Sequence, residues 1–386
     1  MSSVCRRLHG LFAKSTAAST KAKANANLNS LPKTASTKDI KLKKLVDKFK
    51  KSSELISFRN NQGIYHFTVR RLAAAKKFSM IEEILEAQKK YKDITNEGFS
   101  IRLIGLYGKS GMLEHAHKLF DELPELNCER TVRSFNALLT AYVNAKKFDK
   151  VVEIFHELPS TVSIESDVIS YNIVIHAFCE MGSLDSAIST FDALESKGIE
   201  PDLITFNTLL NALYRDQRCL EGERIWDMME SKGIVPDVRS YNSRLRGLVY
   251  DNRILEAVEL VGEMESKGIK PDTFSYAALI KGFCSEGNLK EANRCYSELQ
   301  NNKCTPDVAI YTALVPLCCK VGDLKMAFNL CLDAINHRLL IKETVLKRVV
   351  DGLVEEAKIE EAKKLVDLVK SSKYFNYKLQ LTPLVT

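Results

Sequence analysis

The sequence predicts an all-α protein, a superhelical solenoid of helix-turn-helix repeats, on three observations. Pro201, Pro236, Pro271 and Pro306 stand 35 residues apart, and each is followed by an aspartate: Asp202, Asp237, Asp272 and Asp307. Between these marks a column of small residues recurs in register. One helical turn beyond it runs a column of large residues, and a period of this length marks a repeat array rather than two or three separate globular cores.

With the aspartate as the last residue of each unit, the frame is 168–202, 203–237, 238–272, 273–307 and 308–342. Earlier units follow at 62–96, 97–131 and a 36-residue unit at 132–167, and a degenerate ninth occupies 343–377. The twentieth position holds Ala116, Val151, Ala187, Gly222, Ala257, Ala292, Ala327 and Ala362, nearly all small enough for two helices to approach closely. Four residues later stand Phe120, Phe155, Phe191, Trp226, Val261, Tyr296 and Cys331, on the same helical face. This is core packing, and the lone Trp belongs to it.

Each unit reads as helix A, a short turn, helix B and a loop ended by Pro-Asp. In 168–202, helix A carries Ile169, Tyr171, Val174 and Phe178 before Gly182 and Ser183 break it. Helix B then carries Leu184, Ala187, Ile188, Phe191 and Leu194 until Gly198 and Pro201 stop it. One hairpin cannot bury that stripe alone, whereas stacked neighbours can, which places one row of helices on the concave side of a superhelix. Pro316 falls inside a helix A, where it removes a backbone donor and is expected to kink the helix. A basic run from Lys41 to Lys51, with Leu42, Leu45, Val46 and Phe49 on one side, reads as a capping helix within 39–61.

The net charge of +7 is unevenly spread. Residues 1–38 hold seven basic side chains and no acid, residues 39–61 add a net +4, and 62–386 are left at −4. The repeat array is thus slightly acidic, which argues against strong sequence-blind phosphate attraction. The first 38 residues are rich in Ser and Thr, with Val4, Leu8, Leu11 and Phe12 near one helical face and Arg6, Arg7 and Lys14 elsewhere, the composition of a mitochondrial transit peptide directing the chain to the matrix. No stretch approaches the roughly 18 apolar residues of a membrane span. Among ten cysteines there is no CxxC pair, and Cys179, Cys284 and Cys319 all fall on the twelfth repeat position, as core packers do rather than metal ligands.

The strings VISYNIVIHAFCEMGSLDSAISTFDALESKGIEPD and LITFNTLLNALYRDQRCLEGERIWDMMESKGIVPD resemble P-type pentatricopeptide repeats, and the resemblance covers residues 62–377. Its most specific parts are the Tyr/Phe-Asn pair on helix A and the closing Pro-Asp. It implies a right-handed superhelix in which each repeat faces one RNA base, chosen by the fifth and last residues of the repeat. Mapped here, the base-reading pairs are Asn136 with Asp167, Asn172 with Asp202, Asn207 with Asp237, and Asn242 with Asp272. By the family's rules Asn with Asp prefers uridine, so the resemblance implies a pyrimidine-leaning tract of about four nucleotides. A primary amide offers donor and acceptor to a Watson–Crick edge, and a carboxylate can orient it directly or through water. Each Asp could equally cap the next helix. Asn inside a helix is a poor helix former without that excuse.

Outside that window the pattern fails: His66, Ile101, Ala277, Thr312 and Lys347 stand at the fifth position, and Ile101 cannot read a base edge. The second-position residues Arg133, Ile169, Ile204, Arg239 and Phe274 are candidates for stacking on bases. At the thirteenth position, where the family tends to place a phosphate-binding lysine, the basic residues are Lys109, Arg215 and Lys320. Gly108-Lys109-Ser110 lacks the upstream glycine of a nucleotide-binding loop, HExxH is absent, and so is the deaminase pairing of His-x-Glu with Pro-Cys-x-x-Cys. The expectation is a non-catalytic RNA-binding protein with no cofactor, no metal and no small-molecule substrate. Its partner is single-stranded RNA or rRNA, together with proteins of the mitochondrial small ribosomal subunit, since short P-type proteins of this kind resemble those attached to that subunit. The alternative is a free adaptor on a short pyrimidine-rich organellar transcript.

Overall fold

The computed structural model describes residues 37–372, 374–375 and 379–381, and among these every regular element is a helix. The transit-peptide reading of 1–38 falls almost wholly outside them, as do Tyr377 and most of the 378–386 tail. Two compact units divide the chain at Glu200 and Pro201.

The first unit opens with helices Thr37–Ser52 and Ile56–Arg59. Four hairpins follow: Gln62–Ala74 with Phe78–Glu86, Glu97–Lys109 with Leu113–Glu122, Val132–Asn144 with Phe148–Val162, and Val168–Glu180 with Leu184–Ser196. The second unit stacks five: Leu203–Arg215 with Cys219–Ser231, Val238–Tyr250 with Ile254–Ser266, Thr273–Ser285 with Leu289–Asn301, Val308–Val321 with Leu324–Asn336, and Glu343–Glu355 with Ile359–Ser371. The first helix of each pair is helix A and the second helix B.

The hairpins are cut by backbone geometry that repeats as faithfully as the sequence. Between A and B one residue per repeat takes a left-handed φ: Lys76, Gly111, Lys146, Gly182, Gln217, Asn252, Gly287, Gly322 and Ala357, each the fifteenth of its unit. Gly198, Gly233 and Gly268 do the same where helix B ends, with φ of +71, +70 and +76°, while Lys303 and Arg338 occupy that position in later units. Glycine adopts this conformation freely and other residues pay strain for it, so the turn belongs to the stack and glycine only eases it.

The twentieth-position column is fully buried at Ala116, Ala187, Ala257, Ala292, Ala327 and Ala362, and Phe120, Phe191 and Trp226 beside it are buried too. Trp226 meets Tyr241 edge-on at 5.2 Å between ring centroids, and the Arg244 guanidinium lies over its ring at 4.6 Å while pairing with Glu223 at 2.6 Å. Gly222 has a local cause: a Cβ there would sit 2.7 Å from the Tyr214 ring, and one at Gly247 would also run into that ring. In the first unit Leu42, Val46 and Phe49 of the opening helix are buried, and Phe49 packs edge-on against Phe58 and Tyr65 at 5.1 and 4.9 Å. Helix Val308–Val321 contains Pro316 and ends at a left-handed cap at Gly322. One expectation needs correction: Cys284 and Cys319, unlike buried Cys179, are only half-buried.

Candidate nucleic-acid interface

Helix A begins the same way in four successive repeats. Asp167, Asp202, Asp237 and Asp272 each accept the backbone N–H of the third helical residue, at 2.9, 2.9, 3.0 and 3.1 Å. The third residue is always a hydroxyl, Ser170, Thr205, Ser240 or Ser275, which takes the N–H of the Asp in return. Two orphan donors of the helix terminus are thereby satisfied reciprocally. The capping role weighed for the Asp column is therefore real.

The cap also reaches back into the preceding repeat. Asn136 Nδ2 donates to Asp167 Oδ1 at 2.9 Å, Asn207 Nδ2 to Asp237 Oδ1 at 3.0 Å, and Asn242 Nδ2 to Asp272 Oδ1 at 3.0 Å. Each amide is thus held directly, without water, by the carboxylate that closes its own repeat. Asn136 and Asn172 are nearly buried, at 7% and 8% exposure, while Asn207 and Asn242 are half-buried. Burial by itself would raise the Asp237 carboxyl. The Ser240 backbone N–H, the Asn207 amide and the Arg239 backbone N–H outweigh it and hold the group below the ordinary aspartate value.

The second-position residues lie on the surface. Ile169, Ile204 and Phe274 are 53%, 63% and 66% exposed, and Arg133 and Arg239 are exposed as well, Arg133 lying 3.7 Å from Glu97. Ile169 therefore leaves the apolar stripe of helix A that Tyr171 and Val174 complete inside. Of the thirteenth-position cations, Lys109 and Lys320 are exposed, and Arg215 is exposed and paired with Asp216 at 3.0 Å.

Sequence reasoning missed several residues here. The hydroxyl column at the third position went unread, although Ser170, Thr205, Ser240 and Ser275 are as periodic as the Pro-Asp. Glu97 takes over the cap where Asp is replaced by Thr131: its Oε1 accepts the Thr131 hydroxyl at 2.7 Å and the Ser134 N–H at 3.1 Å. The near-neutral charge of the array also conceals a segregation. Counting Lys and Arg against Asp and Glu, the A helices sum to +3 and the B helices to −10 in the first unit. In the second unit the sums are +5 and −7. Averaging over the array hid this, and counting by helix would have found it. Arg70, Arg246 and Lys281 join the predicted cations as exposed residues of the A row.

In the first unit a groove of about 690 Å³ between the first two A helices is lined by His66, Arg70 and Lys109 over Phe67 and Leu106. Neither Arg70 nor Lys109 has an acidic partner among the described residues. Burial first, then the charges of Lys109 and Arg102, push the His66 imidazole below its ordinary value. In the second unit a groove of about 980 Å³ holds Lys320, Lys347 and Arg348 but also Asp351 and Glu355. Among the described residues no three His, Cys, Asp or Glu side chains are grouped to hold a metal, and no helix is long and apolar enough to cross a membrane.

The model of the PPR repeat family matches residues 166–215, 202–250, 236–285 and 273–320, and that of the PPR repeat matches 102–128 and 133–160. The chain belongs to the pentatricopeptide repeat family. It is 47% identical over 215 residues to a pentatricopeptide repeat-containing protein of Arabidopsis thaliana, covering 50% of this chain and 39% of that one. It is 54% identical over 157 residues to the small ribosomal subunit protein mS78 of the same plant, covering 41% of this chain and again 39% of the relative. The matched stretch thus spans about two fifths of the length of these relatives. Among solved structures, the crystal structure of the pentatricopeptide repeat protein PPR10 from maize superposes with a TM-score of 0.53 over 86% of this chain and 56% of that one, at 19% identity, a likeness of fold.

Proposed function

We propose that this pentatricopeptide repeat protein binds RNA along its A helices, without catalysis, as a component of or factor bound to the mitochondrial small ribosomal subunit. One observation carries the RNA reading: buried or half-buried amides are held by carboxylates at three repeat junctions, in a register whose second-position side chains are exposed. Isolated exposed apolar residues are ordinary, but Ile169, Ile204 and Phe274 recur at one repeat position, each beside an Asp-capped junction. The excess of cations on the A row supports phosphate contact there. In the first two repeats, where Ile101 cannot read a base, unpaired Arg70 and Lys109 favour sequence-blind contact with the backbone.

The ribosomal part rests on likeness to mS78 and on base coding confined to four repeats of nine, which suits folded rRNA better than a long coded tract. The acid-free, Ser- and Thr-rich first 38 residues support a mitochondrial address, with the matrix as the compartment. A second reading, a free adaptor on a short pyrimidine-rich transcript, is favoured by the Asn-Asp pairs standing in register. Sedimentation of the tagged mature protein separates the two. Co-migration with the small subunit through a high-salt wash supports the ribosomal role, whereas release into messenger-sized fractions replaces it with the adaptor.

A further inference from the structure

The third-position hydroxyls make a contact that capping does not require. Ser170 Oγ approaches Asn136 Oδ1 at 2.6 Å, Ser240 Oγ approaches Asn207 Oδ1 at 2.6 Å, and Ser275 Oγ approaches Asn242 Oδ1 at 2.7 Å. Each hydroxyl has one proton. Its distances to the Asp Oδ1 are longer, 3.0, 3.1 and 3.3 Å, so the proton belongs to the amide carbonyl. Each carboxamide is therefore gripped at both ends, its Nδ2 by a carboxylate and its Oδ1 by a hydroxyl. Turning the amide over would set two acceptors, Oδ1 and the Asp carboxylate, against each other.

The hydroxyl also follows the amide from repeat to repeat. Ser170, Thr205, Ser240 and Ser275 come in the repeats after Asn136, Asn172, Asn207 and Asn242. After His66, Ala277 and Thr312 the third positions are Phe99, Ile310 and Val345, and Asp307 still caps Ile310 at 3.1 Å without any hydroxyl. A cap alone does not need Ser. Where Ser134 follows Ile101, its hydroxyl turns back to the Thr131 carbonyl at 2.9 Å.

With Ser Oγ and Asp Oδ1 only 3.0 to 3.3 Å apart, both lie on one edge of the amide, and the remaining N–H and lone pair point away from each other, so a base meets one or the other. Uracil presents a carbonyl oxygen beside the N3–H; cytosine presents an amino group beside the N3 lone pair, the same two places with donor and acceptor exchanged. A fixed amide presents only its donor or only its acceptor to a given place and so matches one of the two bases there, whereas an amide free to turn over matches both. We propose that Ser170, Ser240 and Ser275 are positioning residues that hold the amides of Asn136, Asn207 and Asn242 in the orientation that favours uracil over cytosine. The proposal rests on the reading that these amides face bases.

The test is Ser240→Ala with Ser275→Ala in the full chain, beside Ser240→Thr with Ser275→Thr, titrated with fluorescent oligouridine and oligocytidine at one salt concentration. A neutral hydrogen bond is worth about 1 kcal/mol, so each lost hydroxyl should lower the ratio of uridine to cytidine affinity by roughly two- to tenfold. The threonine variant should keep the wild-type ratio, as Thr205 already occupies this position. An unchanged ratio in the alanine variant, or the same loss in the threonine variant, overturns the lock while base reading stands. Oligouridine binding that survives Asn207→Ala with Asn242→Ala, or a wild-type chain that treats the two oligomers alike, overturns base reading and the lock together. Should the double alanine variant fail to fold, Ser275→Ala alone carries the same comparison.

Discussion

Replacing Phe274 by Ala separates a binding role from a packing role at a single side chain. The ring is 66% exposed, so about a third of its surface is removed from water by the fold. Full burial of such a side chain is worth roughly 1.5–3 kcal/mol, and a third of that is about 0.5–1 kcal/mol, the expected cost to stability. Loss of a base-stacking aromatic costs about 1–3 kcal/mol of binding, which corresponds to roughly 5- to 150-fold in affinity for oligouridine. Phe206, two repeats earlier and fully buried, supplies the contrast. Its replacement by Ala should cost about 3–5 kcal/mol of stability, with binding lost only through unfolding.

The two measurements are urea denaturation and anisotropy titration with a short oligouridine, both on the full chain. Stacking at the second position requires that Phe274→Ala lower affinity well beyond the loss of folded fraction. If affinity is unchanged while stability falls by the small expected amount, Phe274 is an ordinary exposed side chain. If stability falls as far as in Phe206→Ala, the exposed placement of the ring is itself wrong.

Gly268→Ala puts a side chain at φ +76°, where an L-residue is strained by about 1–2 kcal/mol, and a urea midpoint that does not fall would refute the left-handed turn. The Asp237 carboxyl is depressed in the folded chain, so its contribution is present above the unfolded aspartate pKa and is lost as pH falls through the lower folded value. The stability gap between wild type and Asp237→Asn should accordingly be full near pH 7 and close on acidification in that window; a gap independent of pH counts against the cap network.

The repeat frame was legible because its punctuation is chemical. Pro stops a helix, Asp starts one, and a small residue one turn from a large one can only mean close helix packing, which is why Ala187 and Phe191 lie where the pattern put them. The Asn–Asp pairing was legible as a register, but its geometry was not. That the amide is gripped by two residues depends on where the third residue of the following helix comes to rest, and the 35-residue spacing alone does not specify that distance.

The segregation of charge bears on how a near-neutral array could hold a polyanion. What an approaching phosphate feels is dominated by charges within about 10 Å at 0.1 M salt, not by the sum over the chain. In the second unit the A row carries +5 and the B row −7, so the two faces of one hairpin layer present opposite signs to solvent. The acidic row then works with the basic one, because repulsion from the B helices discourages non-productive contact while the A helices attract. Most of the specificity would come from the amides and little from charge, since the cations of the A row are few and Arg215 is already paired. A weak electrostatic hold combined with a rigid amide suits an RNA whose position is also secured by neighbouring proteins, and this physical consideration favours a ribosomal setting over a solitary adaptor.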